Sequence, residues 1–118
     1  LTAPEERWEV RRDLIDYNSE LEIVKDRGLA RLEDTGMEVG RRAYERYATV
    51  ADDFTSATGE TRWTMRFRRG DWDVRVVTHQ KVRCDEKQFT VDATLDGYEN
   101  DRRVFSRTWN ETIPRDCL

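Results

Sequence analysis

From Thr61 to Val82 apolar and polar residues alternate with a period of two, and few folds accommodate such a pattern. Trp63, Met65 and Phe67 point one way and Arg62, Thr64, Arg66 and Arg68 the other. After Arg69-Gly70-Asp71 the alternation resumes, with Trp72, Val74 and Val76 set against Asp73, Arg75 and Val77. Successive side chains of a strand leave opposite faces of its sheet, so this is a strand pair with one apolar side. Glycine tolerates positive φ, which predicts a tight hairpin turn at Gly70-Asp71.

The same reading extends over the chain. Phe89, Val91, Ala93 and Leu95 form the next inward set, and Asp96-Gly97 and Asn100-Asp101 supply turn chemistry. Val104 to Trp109 reads as the last strand, with Pro114 ending regular pairing. In the first half, Trp8 to Leu14 begins in alternation, Asp16-Tyr17-Asn18-Ser19 reads as a turn, and Leu21, Ile23 and Lys25 predict a strand ending near Arg27-Gly28. Arg31 to Asp34 fits a short strand or an extended loop. Val39, Ala43 and Tyr47 would suit a helix face or a strand face, and Gly36 and Gly40 favour the strand over Met37 to Val50. Asp52 to Gly59, rich in Ser, Thr and Asp, reads as a loop. The expected fold is therefore all-β, a meander of about seven or eight antiparallel strands, because the short spacings leave no room for parallel crossovers. An open sheet would leave an aromatic face wet, so a curved sheet, partial barrel or sandwich is expected.

The 118 residues make one domain, 1–118. With 39% charged and 36% hydrophobic residues and four each of Trp, Tyr and Phe, the chain is not of the disordered class. Its net charge of −4 and its interspersed signs argue against nucleic acid as a partner: Arg41-Arg42, Arg68-Arg69 and Arg102-Arg103 sit among acids. No apolar run approaches membrane-spanning length and no signal peptide is recognisable, so no membrane partner is expected. Two cysteines, Cys84 and Cys117, form neither a disulfide framework nor a metal-ligand cluster; they lean toward a cytoplasmic location, with a single bridge left open. Asn110-Glu111-Thr112 is a formal glycosylation sequon, meaningful only in a protein secreted by a eukaryote.

Chemistry is sparse. Serine hydrolysis needs a nucleophile, a base and an orienting acid. The chain has one histidine, His79, expected on the face of Arg75 and Val77, and the serines Ser19, Ser56 and Ser106, none in a Gly-x-Ser-x-Gly elbow. Cys84 has no neighbouring base in sequence. The carboxylate pairs Asp52-Asp53, Asp71 with Asp73, and Asp85-Glu86 are expected from an acid-rich composition alone. Asp16-x-Asn18-x-Glu20 fails as a calcium loop, with Leu21 where glycine belongs and Arg27 at the twelfth position. The expectation is no catalytic residue, no cofactor and no metal. Trp8, Trp63, Phe67, Trp72, Phe89 and Trp109 would fill a core or, as the alternative, line the cavity of an independent ligand-binding β-barrel.

The segment from Ala93 to Asp116, strongest over Tyr98-Glu99-Asn100-Asp101-Arg102-Arg103-Val104-Phe105-Ser106-Arg107-Thr108-Trp109-Asn110-Glu111-Thr112-Ile113-Pro114-Arg115-Asp116, resembles the extreme C-terminus of bacterial cocaine-esterase/NonD-type hydrolases, relatives of X-prolyl dipeptidyl aminopeptidases. Arg7-Trp8-Glu9-Val10-Arg11-Arg12-Asp13-Leu14, Gly59-Glu60-Thr61-Arg62-Trp63-Thr64 and Gly70-Asp71-Trp72-Asp73-Val74-Arg75 look like the same tail region, so the resemblance spans nearly the whole chain. Cys117 departs from the aliphatic residue expected there. The resemblance implies a parent serine hydrolase of ester or amide bonds, with its Ser-His-Asp triad outside this chain. Leu1-Thr2-Ala3-Pro4, without an initiator Met, agrees with an excised or processed C-terminal piece. The implied role is a non-catalytic accessory domain supporting stability, substrate access or subunit contacts. Its implied partner is the hydrolase body of the same parent chain; a homo-oligomer is the second partner considered.

Overall fold

The computed structural model describes residues 4–116. They form seven strands: β1 (Glu5–Arg12), β2 (Asn18–Leu32), β3 (Met37–Val50), β4 (Asp53–Arg69), β5 (Trp72–Cys84), β6 (Gln88–Glu99) and β7 (Arg102–Pro114). Each pairs antiparallel with the next, giving one sheet in the order β1-β2-β3-β4-β5-β6-β7. The all-β meander is thus as the alternation predicts. The sheet does not close, since β1 and β7 make no contact, and among the described residues no second layer covers it. Neither a barrel nor a sandwich is formed.

The dimensions are those of a single layer, 51 × 31 × 23 Å. A fifteen-residue strand such as β2 runs about 50 Å, and seven strands side by side span about 29 Å. The radius of gyration is 18.1 Å, against about 13.5 Å for a compact domain of this length. The accessible surface of 8842 Å² likewise exceeds the roughly 6,700 Å² of a compact 14.1 kDa protein. Among the described residues the buried apolar side chains are Ile23, Val24 and Ala43, on β2 and β3.

Two turns have the residues their geometry demands. Gly70-Asp71 joins β4 to β5 with φ +58° at Gly70, as in a hairpin turn with positive φ at its first central residue. Asn100 and Asp101 join β6 to β7 with φ of 52° and 64°, the type I′ pattern that Asn and Asp tolerate. In β2 the strand does not stop at Arg27-Gly28. Gly28 takes φ +70°, its N–H bonds the Asp26 carboxylate at 2.8 Å, and pairing with β3 resumes at Leu29↔Gly40. The apparent terminator is a bulge, and Arg31 continues the strand.

Two expectations are corrected. Asp96-Gly97 is no turn: both lie inside β6, and Gly97 faces Phe105 just before the register shift to Tyr98↔Arg103. Asp52 to Gly59 is no loop: the β3–β4 connection is only Ala51-Asp52, and β4 begins at Asp53. Thr55 and Thr58 suit a solvated strand as well as a loop, which is why composition misled there. The segment still carries an irregularity, because pairing shifts from Ala48↔Thr58 to Val50↔Asp53.

Candidate functional site

The register sorts every strand residue onto one of two faces. The row Trp8–Ile23–Glu45–Thr61–Gln80–Ala93–Trp109 crosses the whole sheet, and so does Glu6–Lys25–Ala43–Trp63–Thr78–Leu95–Arg107. Around these lie Val39, Phe67 and Val74 in one row and Met65, Val76 and Phe105 in the next. This is the apolar face read from the alternation. Much of it is open to solvent: Trp8 is 55% exposed, Phe105 53% and Trp72 45%, so these aromatics do not fill a core. Cations partly roof the rings, with the Lys25 ammonium 4.8 Å from the Trp8 centroid, the Arg41 guanidinium 5.2 Å from Trp63 and that of Arg107 4.8 Å from Trp109.

The opposite face is polar and cross-linked between strands. Arg46 Nε donates to Glu20 at 2.8 Å, Arg66 Nη2 to Asp73 at 2.6 Å, and Glu38 receives Arg31 at 2.8 Å and Arg68 Nε at 2.6 Å. These hydrogen bonds hold the carboxyls of Glu20, Asp73 and Glu38 below the usual range: Arg46 is the main cause at Glu20, Arg66 at Asp73, and Arg31 followed by Arg68 at Glu38. The face is zoned by strand. On it β3 carries Arg42 and Arg46, β4 carries Arg62, Arg66 and Arg68, and β5 carries Arg75, Lys81 and Arg83, against only Glu38, Glu60 and Asp73. An acidic chain thus presents a basic central stripe, which linear charge mixing does not reveal.

At the centre of that stripe a depression of about 440 Å³ is lined by Arg42, Tyr44, Glu60, Arg62 and Thr64. Beside it His79 Nε2 lies 2.7 Å from Glu60 Oε1. A carboxylate only accepts, so the ring donates, and this bond is the main cause that holds the Glu60 carboxyl below the ordinary carboxylate range. Tyr44 donates to Glu22 at 3.4 Å; burial, then the Glu22 charge, raise its phenol above the ordinary value.

His79 does lie on the face of Arg75 and Val77, as expected. Its hydrogen-bond partner is Glu60, not a serine. Ser19 is on the apolar face beside Leu21 in β2, and Ser56 caps the β3–β4 hairpin, its Oγ donating to the Asp53 carbonyl at 2.6 Å and accepting from Val50 N–H at 2.8 Å. Ser106 pairs with Asp96 near the β7 edge. The carboxylate pairs are split into separate tasks. Asp53 takes the Thr55 hydroxyl at 2.6 Å, Asp85 takes the N–H groups of Lys87 and Gln88 at 2.8 and 2.9 Å, and Asp73 holds Arg66. No group of three His, Cys, Asp or Glu that could hold a metal occurs among the described residues. The Cys84 Sγ lies 3.4 Å from the Phe54 carbonyl and 3.7 Å from Arg115 Nη1; its pairing with Cys117 falls outside the described residues. No helix among the described residues is long and apolar enough to cross a membrane.

The fold and its two faces define a class: a single-layer antiparallel β-meander, apolar on one side and ion-paired on the other. No family model, no curated protein and no solved structure matches the chain.

Proposed function

We propose that this chain is a non-catalytic accessory module that packs by its apolar face on a larger body, and that the body is an α/β-hydrolase-type serine hydrolase acting on ester or amide bonds, of which this chain forms the C-terminal part. The observation that carries the docking role is the open apolar face. The accessible surface exceeds that of a compact protein of this mass by about 2,000 Å², more than the roughly 800 Å² one partner contributes to a stable interface. That excess counts polar and apolar atoms on both faces; what marks an interaction surface is the group of large aromatics left about half exposed on one face, Trp8, Trp72 and Phe105. The resemblance of the Tyr98–Asp116 segment to hydrolase C-termini names the occupant, and a cytoplasmic bacterial setting goes with it. The module then acts through support: it stiffens the body it covers and holds the substrate entrance or a subunit contact in shape.

A ligand-binding barrel is the weaker reading, because among the described residues β1 and β7 are unpaired edges and the sheet does not close between them.

The test is expression of the full open reading frame with and without residues 1–118. The intact protein should hydrolyse an activated ester and label with a serine-directed phosphonate on a residue outside this chain. The truncated protein should melt at a lower temperature. Turnover and labelling by the isolated chain, abolished in Ser19→Ala, Ser56→Ala or Ser106→Ala, would contradict a non-catalytic role. An open reading frame coding for no hydrolase elbow would remove the hydrolase as the occupant.

A further inference from the structure

We propose that the depression on the polar face is a binding site for an oxyanion, a carboxylate or phosphate group, held by Arg42 and Arg62. The two arginines stand on adjacent strands at diagonal positions, since Arg42 pairs with Thr64 and Tyr44 with Arg62. Both guanidiniums are exposed; side by side they repel, and each planar fork presents paired donors that match a carboxylate or phosphate. Three other arginines of the stripe have such partners: Arg46 has Glu20, Arg66 has Asp73 and Arg68 has Glu38. Arg42 and Arg62 make no ion pair or hydrogen bond among the described residues, although both line the depression. The acidic residue in its wall, Glu60, is hydrogen-bonded by His79 at 2.7 Å and also faces the charges of Lys81 and Arg62, so one carboxylate is shared among several cations.

The surroundings reinforce the imbalance. Arg75 lies one diagonal step away, since Thr64 pairs with Val77 and Arg66 with Arg75, and its Nε is buried without a hydrogen-bond partner while its guanidinium stacks 4.5 Å from the Tyr98 centroid. Lys81 sits directly opposite Glu60. The hydroxyl of Thr64 supplies a neutral donor in the lining. A bidentate oxyanion between two forks would satisfy donors that the chain itself leaves open, and the 440 Å³ admits a small organic acid or phosphate ester. The site lies on the face away from the apolar surface, so it stands or falls independently of the body proposed to cover that surface.

The experiment is titration of the purified chain with inorganic phosphate and, separately, with succinate at low ionic strength, followed by calorimetry and by the backbone amide signals of β3 and β4. Saturable binding at one site per chain is expected, with shifts centred on residues 42–44 and 60–64 and affinity falling as sodium chloride is raised. Saturation by phosphate alone marks a phosphoryl ligand, and by succinate alone a carboxylate. The double variant Arg42→Gln/Arg62→Gln should bind about tenfold more weakly or worse. Arg12→Gln/Arg102→Gln removes the same charge at exposed positions elsewhere and should bind as the parent sequence does. Equal loss in both double variants would reduce the effect to net charge and overturn the site. A linear response to both anions, or unchanged binding in Arg42→Gln/Arg62→Gln with its fold intact by circular dichroism, would overturn it as well.

Discussion

The two faces of this sheet solve the same problem in opposite ways. On the polar face the strands are stitched by side chains: Glu20 with Arg46, Glu38 with Arg31 and Arg68, Asp73 with Arg66, and Glu60 with His79. Those groups satisfy one another at the water boundary and need no cover. On the apolar face the large side chains have only their row neighbours. Ile23 and Ala43 are buried by the crowding of β2 and β3, whereas Trp8, Trp72 and Phe105 remain about half exposed. A face cross-linked largely by its own side chains and a face left open, joined back to back in one layer, would let the proposed module dock in a single orientation.

That contrast predicts where substitutions hurt. Within the apolar face, Ile23 is nearly enclosed between β1 and β3, so Ile23→Ala should cost about 2–5 kcal/mol in urea unfolding. Val10 lies on the same face but on the edge strand, 74% exposed, and Val10→Ala should stay within about 0.5 kcal/mol. Equal costs at the two positions would mean that the face is uniformly covered in the chain itself. Phe105→Ala should cost about 1–2 kcal/mol in the isolated chain, because half of the ring is already in water, and about 3–5 kcal/mol in the proposed parent, where that ring would be buried. The same small cost in both settings would break the comparison.

The polar face predicts a smaller, pH-dependent effect. Arg31 and then Arg68 hold the Glu38 carboxyl below its ordinary range in the fold, so this carboxylate is more acidic folded than unfolded. Its contribution is fully present above the unfolded value, about 4.3, and is lost as pH falls through the depressed folded value. Glu38→Gln should therefore lower the urea midpoint at pH 7, and its deficit relative to the parent sequence should shrink as the pH is taken down past 4. A deficit that does not change with pH would assign Glu38 a packing role in place of an electrostatic one.

Most of the fold was legible in the sequence because period-two alternation is a direct projection of the two faces. Trp63, Met65 and Phe67 share their side with Trp72, Val74 and Val76 as the pattern requires. What escaped was governed by backbone irregularity. Gly28 reads as a terminator but forms a bulge inside β2, and Asp96-Gly97 reads as a turn although β6 runs through it to Glu99. The candidate site was less legible. Arg42, Arg62, Arg75 and Lys81 are scattered among acids along the chain, and only pairing of β3, β4 and β5 gathers them on one face. Alternation holds a partial signal: in Arg41-Arg42 the first must point to the apolar side, where it meets Trp63, and the second to the polar side. Register, which decides what lies across from each, is set by turns and bulges that composition does not fix.

The central claim, that the apolar face is covered by a larger body while the polar face stays open, is tested most directly by hydroxyl-radical footprinting of the isolated chain and of the intact parent. Trp63, Met65, Phe105 and Trp109 report on the apolar face, and Tyr44, His79 and Tyr98 on the polar face. The account predicts strong protection of the first group in the parent and unchanged oxidation of the second. Protection of Tyr44, His79 and Tyr98 with continued oxidation of Trp63, Met65, Phe105 and Trp109 would contradict it.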